Sequence, residues 1–467
     1  MDLVFCQSTL RSPVTSKVVS HLSIVSHPYY ISHISIMQRH HQSSDESGTP
    51  SSAISSTLRK DIDLTNRLSA LLDAARDEEL TSELQILSSA EPHEVLSRVL
   101  SPSSVVSRAS SFAFFNNAQQ ASSVGFRSVG FGQCGIVFER PGRAYVVKIA
   151  RPSFEDALWA DLQAHLAVYH AFANQQSVEV RTPKVFSYVS KSNNEWWDSH
   201  LELFHGSHLS FPLPAMAFIT ERILPLPKLA RQALIDVYCP APSQLAVRAH
   251  DTNRDCLARI YLGRRRGVND PPPANFTLRN FNLCLDQMIE LNLPIQHYAK
   301  AIGQAMAIMH WSANVDCYDV EFVLGSEGET SYTQEICRLS GLSVEHLASM
   351  PPHTDLDKIM RTNFRRRTTR VWVLDFNLCS KWEEQMGLER SDDLIAHLVA
   401  AFFENDPYYP RPSQDLEPDK SLWFTFSSSY RDAAASVLSV PGKDPRLALL
   451  PQKFLDACVL RQSEGSA

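Results

Sequence analysis

Three glycines, one lysine and a handful of carboxylates are the residues of this 467-residue chain whose types and spacing could hold a polyphosphate. Gly130, Gly132 and Gly135 stand in the run Gly130-Phe131-Gly132-Gln133-Cys134-Gly135-Ile136-Val137. Glycine has no Cβ, so such a run lets backbone N–H groups come close to phosphate oxygens. Lys148 follows in Ala144-Tyr145-Val146-Val147-Lys148-Ile149, an apolar setting in which an unpaired ammonium would be costly. Further along, Asp161, Asp316, Asp319, Glu321 and Asp375 could orient that lysine, hold a hard cation or take the proton of a hydroxyl. With no cation among them, Asp316, Asp319, Glu321 and Asp375 would repel one another, and some of their pKa values would rise.

The elements that must position these residues can be read from the same stretches. The glycine triplet alone is a weak signal, because a dinucleotide-binding turn has the same spacing but needs a helix directly after the third glycine. Here Ile136-Val137-Phe138 is strand-like, Arg140-Pro141-Gly142 is a turn and 144–149 is a second strand. A glycine-rich hairpin whose second strand carries a lysine is what kinases place over ATP phosphates, so Gly130, Gly132, Gly135, Val137 and Lys148 are candidates for binding the nucleotide.

Residues 155–172 read as a helix that offers Asp161 as the acidic partner of Lys148, where protein kinases use Glu. A strand at 216–222 ends in Glu221-Arg222-Ile223, the place of a hinge whose backbone would pair with an adenine edge. Ile295, Tyr298, Ile302, Met306 and Met309 mark a long helix that ends near His310-Trp311. The loop after it places Asp316 at the catalytic aspartate and Glu321 at the position of the metal-binding Asn. Val371-Trp372-Val373-Leu374 then breaks into Asp375-Phe376-Asn377, where kinases carry the Mg2+-binding Asp-Phe-Gly. On this reading Asp316 orients or deprotonates the acceptor, and Asp375 with Glu321 holds Mg2+.

Composition narrows the classes. The 44 Lys and Arg residues against 51 Asp and Glu give a net charge of −7, which argues against nucleic acid and membrane surfaces as partners. No apolar run approaches the ~20 residues that span a bilayer. Nine cysteines are scattered singly, with no zinc-ligand spacing, as in a reduced intracellular protein. Cytoplasm or nucleus is favoured over mitochondrion, because the Ser-rich start lacks an amphipathic Arg-rich helix.

Four further stretches carry a family resemblance. Leu257-Ala258-Arg259-Ile260-Tyr261-Leu262-Gly263, Leu278-Arg279-Asn280-Phe281, Met309-His310-Trp311 and Asp319-Val320-Glu321-Phe322-Val323-Leu324-Gly325 resemble a fungal family of unknown function. Its members are often labelled "zinc finger protein". The resemblance runs over about 125–430 and implies a fold like that of protein kinases and aminoglycoside phosphotransferases. It establishes no reaction, and the zinc in the label has no ligand set here.

The sequence therefore predicts an α+β, bilobal, protein-kinase-like fold. Residues 1–57 read as a disordered Ser-rich N-terminus and 58–124 as a helical segment, with Leu64, Leu68, Leu71, Leu72 and Ala75 in its stripe, and a Ser-rich linker. A small antiparallel-sheet lobe with one helix spans 125–225. A larger, mainly helical lobe spans 226–460 and includes helices near 392–403 and 430–438. The gap between Asp316 and Asp375 is filled by a surface insertion near 326–369, in which Arg365-Arg366-Arg367 is a solvated stretch, as is Arg264-Arg265-Arg266. The cofactors expected are ATP and Mg2+, with no zinc. Three functions fit: phosphate transfer to a small-molecule or protein hydroxyl, a pseudokinase scaffold for a protein partner, and, least in keeping with the charge, a nucleic-acid-binding module.

Overall fold

The computed structural model describes residues 85–102, 105–106, 125–175, 177–207, 209, 211–267, 275–332, 343–352, 356, 360–412 and 417–465. The N-terminal Ser-rich stretch, the 64–75 stripe and most of the Ser-rich linker lie outside them.

A five-stranded antiparallel sheet carries the glycine run and the lysine. Its strands are β2 (Arg127–Phe131), β3 (Gly135–Glu139), β4 (Tyr145–Ala150), β5 (Val185–Val189) and β6 (Ala217–Glu221), in the order β2-β3-β4-β6-β5. Side chains alternate across a strand, so β4 sends Val147 and Ile149 to one face and Val146 and Lys148 to the other. Val147 and Ile149 are fully buried against Ile136, Phe138, Ala217 and Ile219. Val146 and Lys148 line a cleft. The ladder fixes Lys148 opposite Val137 on one side and Phe218 on the other.

The Glu155–Ala173 helix packs under this sheet through Leu158, Leu162 and Leu166, spaced one helical turn apart, against Cys134, Ala150 and Phe218. The same spacing puts Asp161 and His165 together on a neighbouring stripe. Asp161 is 1% exposed and His165 5%.

The remaining chain is mainly helical around a second sheet. Its strands are β1 (Val105–Val106), β7 (Ala258–Tyr261), β8 (Phe281–Cys284), β9 (Glu321–Tyr332) and β10 (Met360–Leu374), in the order β1-β10-β9-β7-β8. The Ile295–Trp311 helix lies against the Asp419–Leu438 helix at Gly303, where a Cβ would fall 2.5 Å from the carbonyl oxygen of Phe426. Beside it, Trp311 Nε1 donates to the hydroxyl of Tyr430 at 2.8 Å, and His310 Nδ1 lies at the same distance from that oxygen. Burial pushes His310 down to about 3, so its ring is neutral and accepts from Tyr430. The expected helices near 392–403 and 430–438 fall within Ser391–Glu404 and Asp419–Leu438. The architecture is thus α+β and kinase-like, one antiparallel sheet with a helix beneath it joined to a larger helical part.

The expectation of a surface insertion is corrected. Residues 321–332 and 360–374 form one long antiparallel ladder, from Glu321 opposite Leu374 to Tyr332 opposite Met360. At its outer end Met360 and Phe364 enter the core of the first sheet beside Phe186 and Trp197, while Glu329, Ser331, Arg361 and Asn363 are exposed. Apolar residues at that end make the hairpin a strut between the two parts. Of its arginines, Arg367 is 3% exposed and donates to the carbonyls of Phe364 and Pro225, and Arg366 lies 3.6 Å from Glu329. Arg265 and Arg266, read as solvated, are exposed as expected and pair at the surface with Asp419 and Asp286.

Candidate nucleotide site

The cleft between the two parts encloses about 260 Å3, lined by the glycine run from above and by Leu257, Leu374 and Asp375 from below. The loop is tight because its third glycine permits it. A Cβ on Gly135 would meet the Ile149 carbonyl oxygen at 2.8 Å. Gly132 N–H donates to the Gly135 carbonyl at 2.9 Å and closes the turn. Val137 and Gly130 complete the roof, with 3.1 Å between the Val137 Cβ and the place a Cβ on Gly130 would take.

Lys148 is the centre. It is 9% exposed, with Nζ 2.6 Å from Asp161 Oδ2 and 3.1 Å from Asp375 Oδ1. Burial works against its charge, but the two carboxylates outweigh that and hold its pKa above the ordinary lysine value. The other oxygen of Asp161 accepts the N–H of Phe376 at 3.2 Å, so one short side chain fixes both the lysine and the backbone after Asp375. An aspartate suffices here because its helix passes directly beneath β4. Asp375 has φ 63°, a left-handed conformation uncommon for a non-glycine residue. That turn ends β10 and swings the carboxylate toward the lysine. His165, which the sequence reading missed, donates from Nε2 to the Pro183 carbonyl at 2.7 Å and sets its ring 5.1 Å from that of Phe376. Its signal was its place one turn beyond Asp161 on the same helix.

The other candidates are placed differently from expectation. Asp316 is 2% exposed and is not among the residues lining the cleft. Its Oδ1 accepts the N–H groups of Tyr318 and Ser380 at 3.1 and 3.0 Å, and its Oδ2 lies 2.8 Å from His397 Nε2. This carboxylate staples its loop to the segment after Asp375 instead of facing an acceptor. The loop's outward carboxylate is Asp319, at φ 61°. Partial burial and the nearby charges of Asp375 and Asp406 raise the Asp319 pKa.

Glu321 lies in the cleft wall, but it is paired with the Arg259 guanidinium. Burial, with Asp375, Asp319 and Asp406 around it, pushes Glu321 up to about 7 even against Arg259. Arg259, a second residue the sequence reading missed, also reaches Asp406 at 3.1 Å and supplies the cation that the extra carboxylate requires.

At the hinge, Glu221 N–H donates to the Lys184 carbonyl and Arg222 N–H to that of Ala144, at 2.7 and 2.9 Å. Those two N–H groups are therefore engaged within the protein. Of the three expected hinge residues, only Ile223 has an N–H without a backbone partner among the described residues. The Glu221 side chain accepts the Lys184 N–H at 3.2 Å, and burial pushes its carboxyl up to about 7.

The donor set fits one hard cation shared with phosphates. Mg2+ is usually held by one or two carboxylates plus substrate oxygens and not by an all-protein cage. Asp375, with one oxygen on Lys148 and a side chain 28% exposed, could serve as such a ligand, and Glu321 lines the same cleft. Among the described residues, no group of three or more His, Cys, Asp or Glu side chains is arranged to hold a metal ion by itself. No helix of the described residues is long and apolar enough to cross a membrane.

Comparison with known proteins adds two findings. Residues 371–442 match the model of a domain-of-unknown-function family described as "Zinc finger protein", a narrower span than the resemblance read over 125–430. The zinc of that description has no ligand group among the described residues. No curated protein matches the chain. Among solved structures, the Rio2 kinase–ADP/Mg2+–phosphoaspartate complex from Chaetomium thermophilum is similar at 11% identity over 76% of this chain and 75% of that one, with a TM-score of 0.23. A likeness that distant carries no weight beside the geometry above.

Proposed function

We propose that this protein binds a nucleoside triphosphate, ATP in the first instance, with one Mg2+ in the cleft under Gly130–Gly135. The observation that carries this reading is Lys148 held between Asp161 and Asp375. A buried ammonium fixed by a helix acid, with a second acid at the end of a strand, is what a triphosphate and its cation require. Lys148 would bind phosphate oxygens. Asp375, with Glu321 beside it, would hold the cation, which neutralises charge on those oxygens when bound. Arg259 offsets the carboxylate that Glu321 introduces at this position. A thermal-shift titration tests the reading. ATP with Mg2+ raises the melting temperature, because a ligand of the folded state must stabilise it; no shift at millimolar ATP, with or without Mg2+, contradicts it.

Binding without transfer, as in a pseudokinase, is supported more directly than transfer, because both Asp316 oxygens are engaged. The observation favouring transfer to a hydroxyl is Asp319, which is exposed and whose pKa is raised by partial burial and by the charge of Asp375. If transfer occurs, phosphate turnover is lost in Asp319→Asn; equal turnover in that variant removes the base from the mechanism.

A further inference from the structure

Strand β2, which leads into the glycine run, is tied to the second part of the molecule at both of its ends. At its start the Arg127 guanidinium forks onto Asp255, with Nη1 2.7 Å from Oδ2 and Nη2 2.9 Å from Oδ1, while its Nε donates to Glu139 at 2.7 Å. At its end Phe131 carries a ring that is 65% exposed, and the Arg279 guanidinium lies over it, with Cζ 5.2 Å from the ring centroid. Asp255 stands just before β7 and Arg279 just before β8. Phe131 and Asn280, the neighbour of Arg279, both line the nucleotide cleft, so the second tie crosses its edge. The two ties differ in strength. The carboxylate fork is bidentate and charge-assisted. The other is one cation–π contact at an exposed ring, worth roughly two- to fivefold in an equilibrium constant. The glycine end of β2 is therefore the loosely held one.

A fixed turn presents Arg279. Its own N–H donates to Thr277 Oγ1 at 3.1 Å, and the N–H of the buried Leu278 donates to Asn253 Oδ1 at 2.7 Å. Asn253 is itself buried, and its amide donates to the Val247 carbonyl at 2.8 Å. Asn280 follows at φ 52°, a left-handed residue that turns the chain into β8. Arg279 Nη2 is buried and has no hydrogen-bond partner among the described residues, so no hydrogen bond competes with the ring for that nitrogen.

We propose that Arg279 is a positioning residue for the glycine run: by holding Phe131 it keeps Gly130–Gly135 lowered over the polyphosphate of a bound nucleotide. The proposal rests on the nucleotide reading of the cleft and adds to it a residue of the second part that does not itself line the cleft. Arg279 acts through Phe131 and touches no phosphate. A loop already held in its binding position has less freedom to lose when the ligand arrives, and affinity rises by that difference.

Calorimetric titration of the full chain with ATP and Mg2+ tests this. Arg279→Gln and Phe131→Leu each weaken binding roughly two- to fivefold. The double variant binds no more weakly than the weaker of the two, because a single contact is lost once. Phe131→Trp tightens binding about twofold, since the indole ring holds a cation best, and the gain vanishes when Arg279→Gln is added. Damage to the fold does not produce such a gain. A second measurement needs no nucleotide: acrylamide quenching of the emission that Phe131→Trp adds increases when Arg279→Gln is combined with it. Unchanged ATP affinity in both single variants, losses that add in the double variant, a Phe131→Trp gain that survives Arg279→Gln, or unaltered quenching overturns the role of Arg279 and leaves the nucleotide reading intact. A wild type that binds no ATP while the quenching responds overturns the nucleotide reading, and this role with it, although the contact between the two side chains stands.

Discussion

Asp161 Oδ2 lies 2.6 Å from Lys148 Nζ, and both residues are buried. Two residues on different elements are thus locked into one ion pair beneath the glycine loop, and Asp375 completes the group from the far side of the cleft. Breaking a buried pair from one side leaves an uncompensated charge and costs about 3–5 kcal/mol. Lys148→Met is therefore destabilised by roughly 3 kcal/mol. The double variant Lys148→Met with Asp161→Leu recovers most of that, because both charges leave together. Denaturant midpoints of the two variants check it; equal losses would mean that the pair is not coupled.

Asp316 and Asp319 separate structure from chemistry within one loop. Asp316→Asn cannot keep the same bonds to Tyr318, Ser380 and His397, and it loses about 1–3 kcal/mol of stability. Asp319→Asn, an exposed change, melts within a degree of wild type and acts on Mg2+-dependent behaviour alone. Thermal melts of both variants test the assignment, and the opposite ranking would restore Asp316 to the cleft.

Glu221 gives a pH prediction of definite sign. Its folded pKa, about 7, lies above the ordinary value of 4.5. Between those values the native state keeps a proton that the unfolded state has lost, so this group's contribution to stability falls as pH rises from 4.5 to 7. Glu221→Gln removes that decline. The variant gains on wild type by about 2–3 kcal/mol across the window, measured as the difference of their unfolding free energies. Parallel pH profiles would contradict the assignment.

The strut makes contact with the hinge at a glycine. A Cβ on Gly325 would fall 2.4 Å from Ile223 Cγ2, and Ser326 exchanges both backbone bonds with Leu224, at 2.7 and 3.1 Å. Gly325→Ala pushes the hinge away from the cleft, at about 1–3 kcal/mol of strain. Nucleotide affinity falls with it, and an unchanged dissociation constant would show that the hinge does not line the base.

The part of the site that was legible has local signals: a glycine run and hairpin leading to a strand lysine marked Lys148, the next helix offered Asp161, and an apolar strand ending in Asp-Phe marked Asp375. What was not legible depends on contacts between distant segments. His397 meets Asp316 from 81 residues away, and Arg259 meets Glu321 from 62. No local pattern distinguishes a buried Asp that holds a loop from one that faces a substrate. The hairpin of β9 and β10 was hidden for a related reason. At its outer end Met360 and Phe364 are spaced among polar and basic residues, and only contact with the core of the other sheet shows that they are buried.

The central claim is that Lys148 and Asp375 together serve one triphosphate and its cation. Calorimetric titration of ATP into wild type and Asp375→Asn, each with and without Mg2+, tests it most directly. Wild type should bind at least about tenfold more tightly with Mg2+, the worth of one charge-assisted contact, and Asp375→Asn should keep weak binding through Lys148 but lose that gain. Equal enhancement by Mg2+ in both proteins, or no binding to either, would contradict the account.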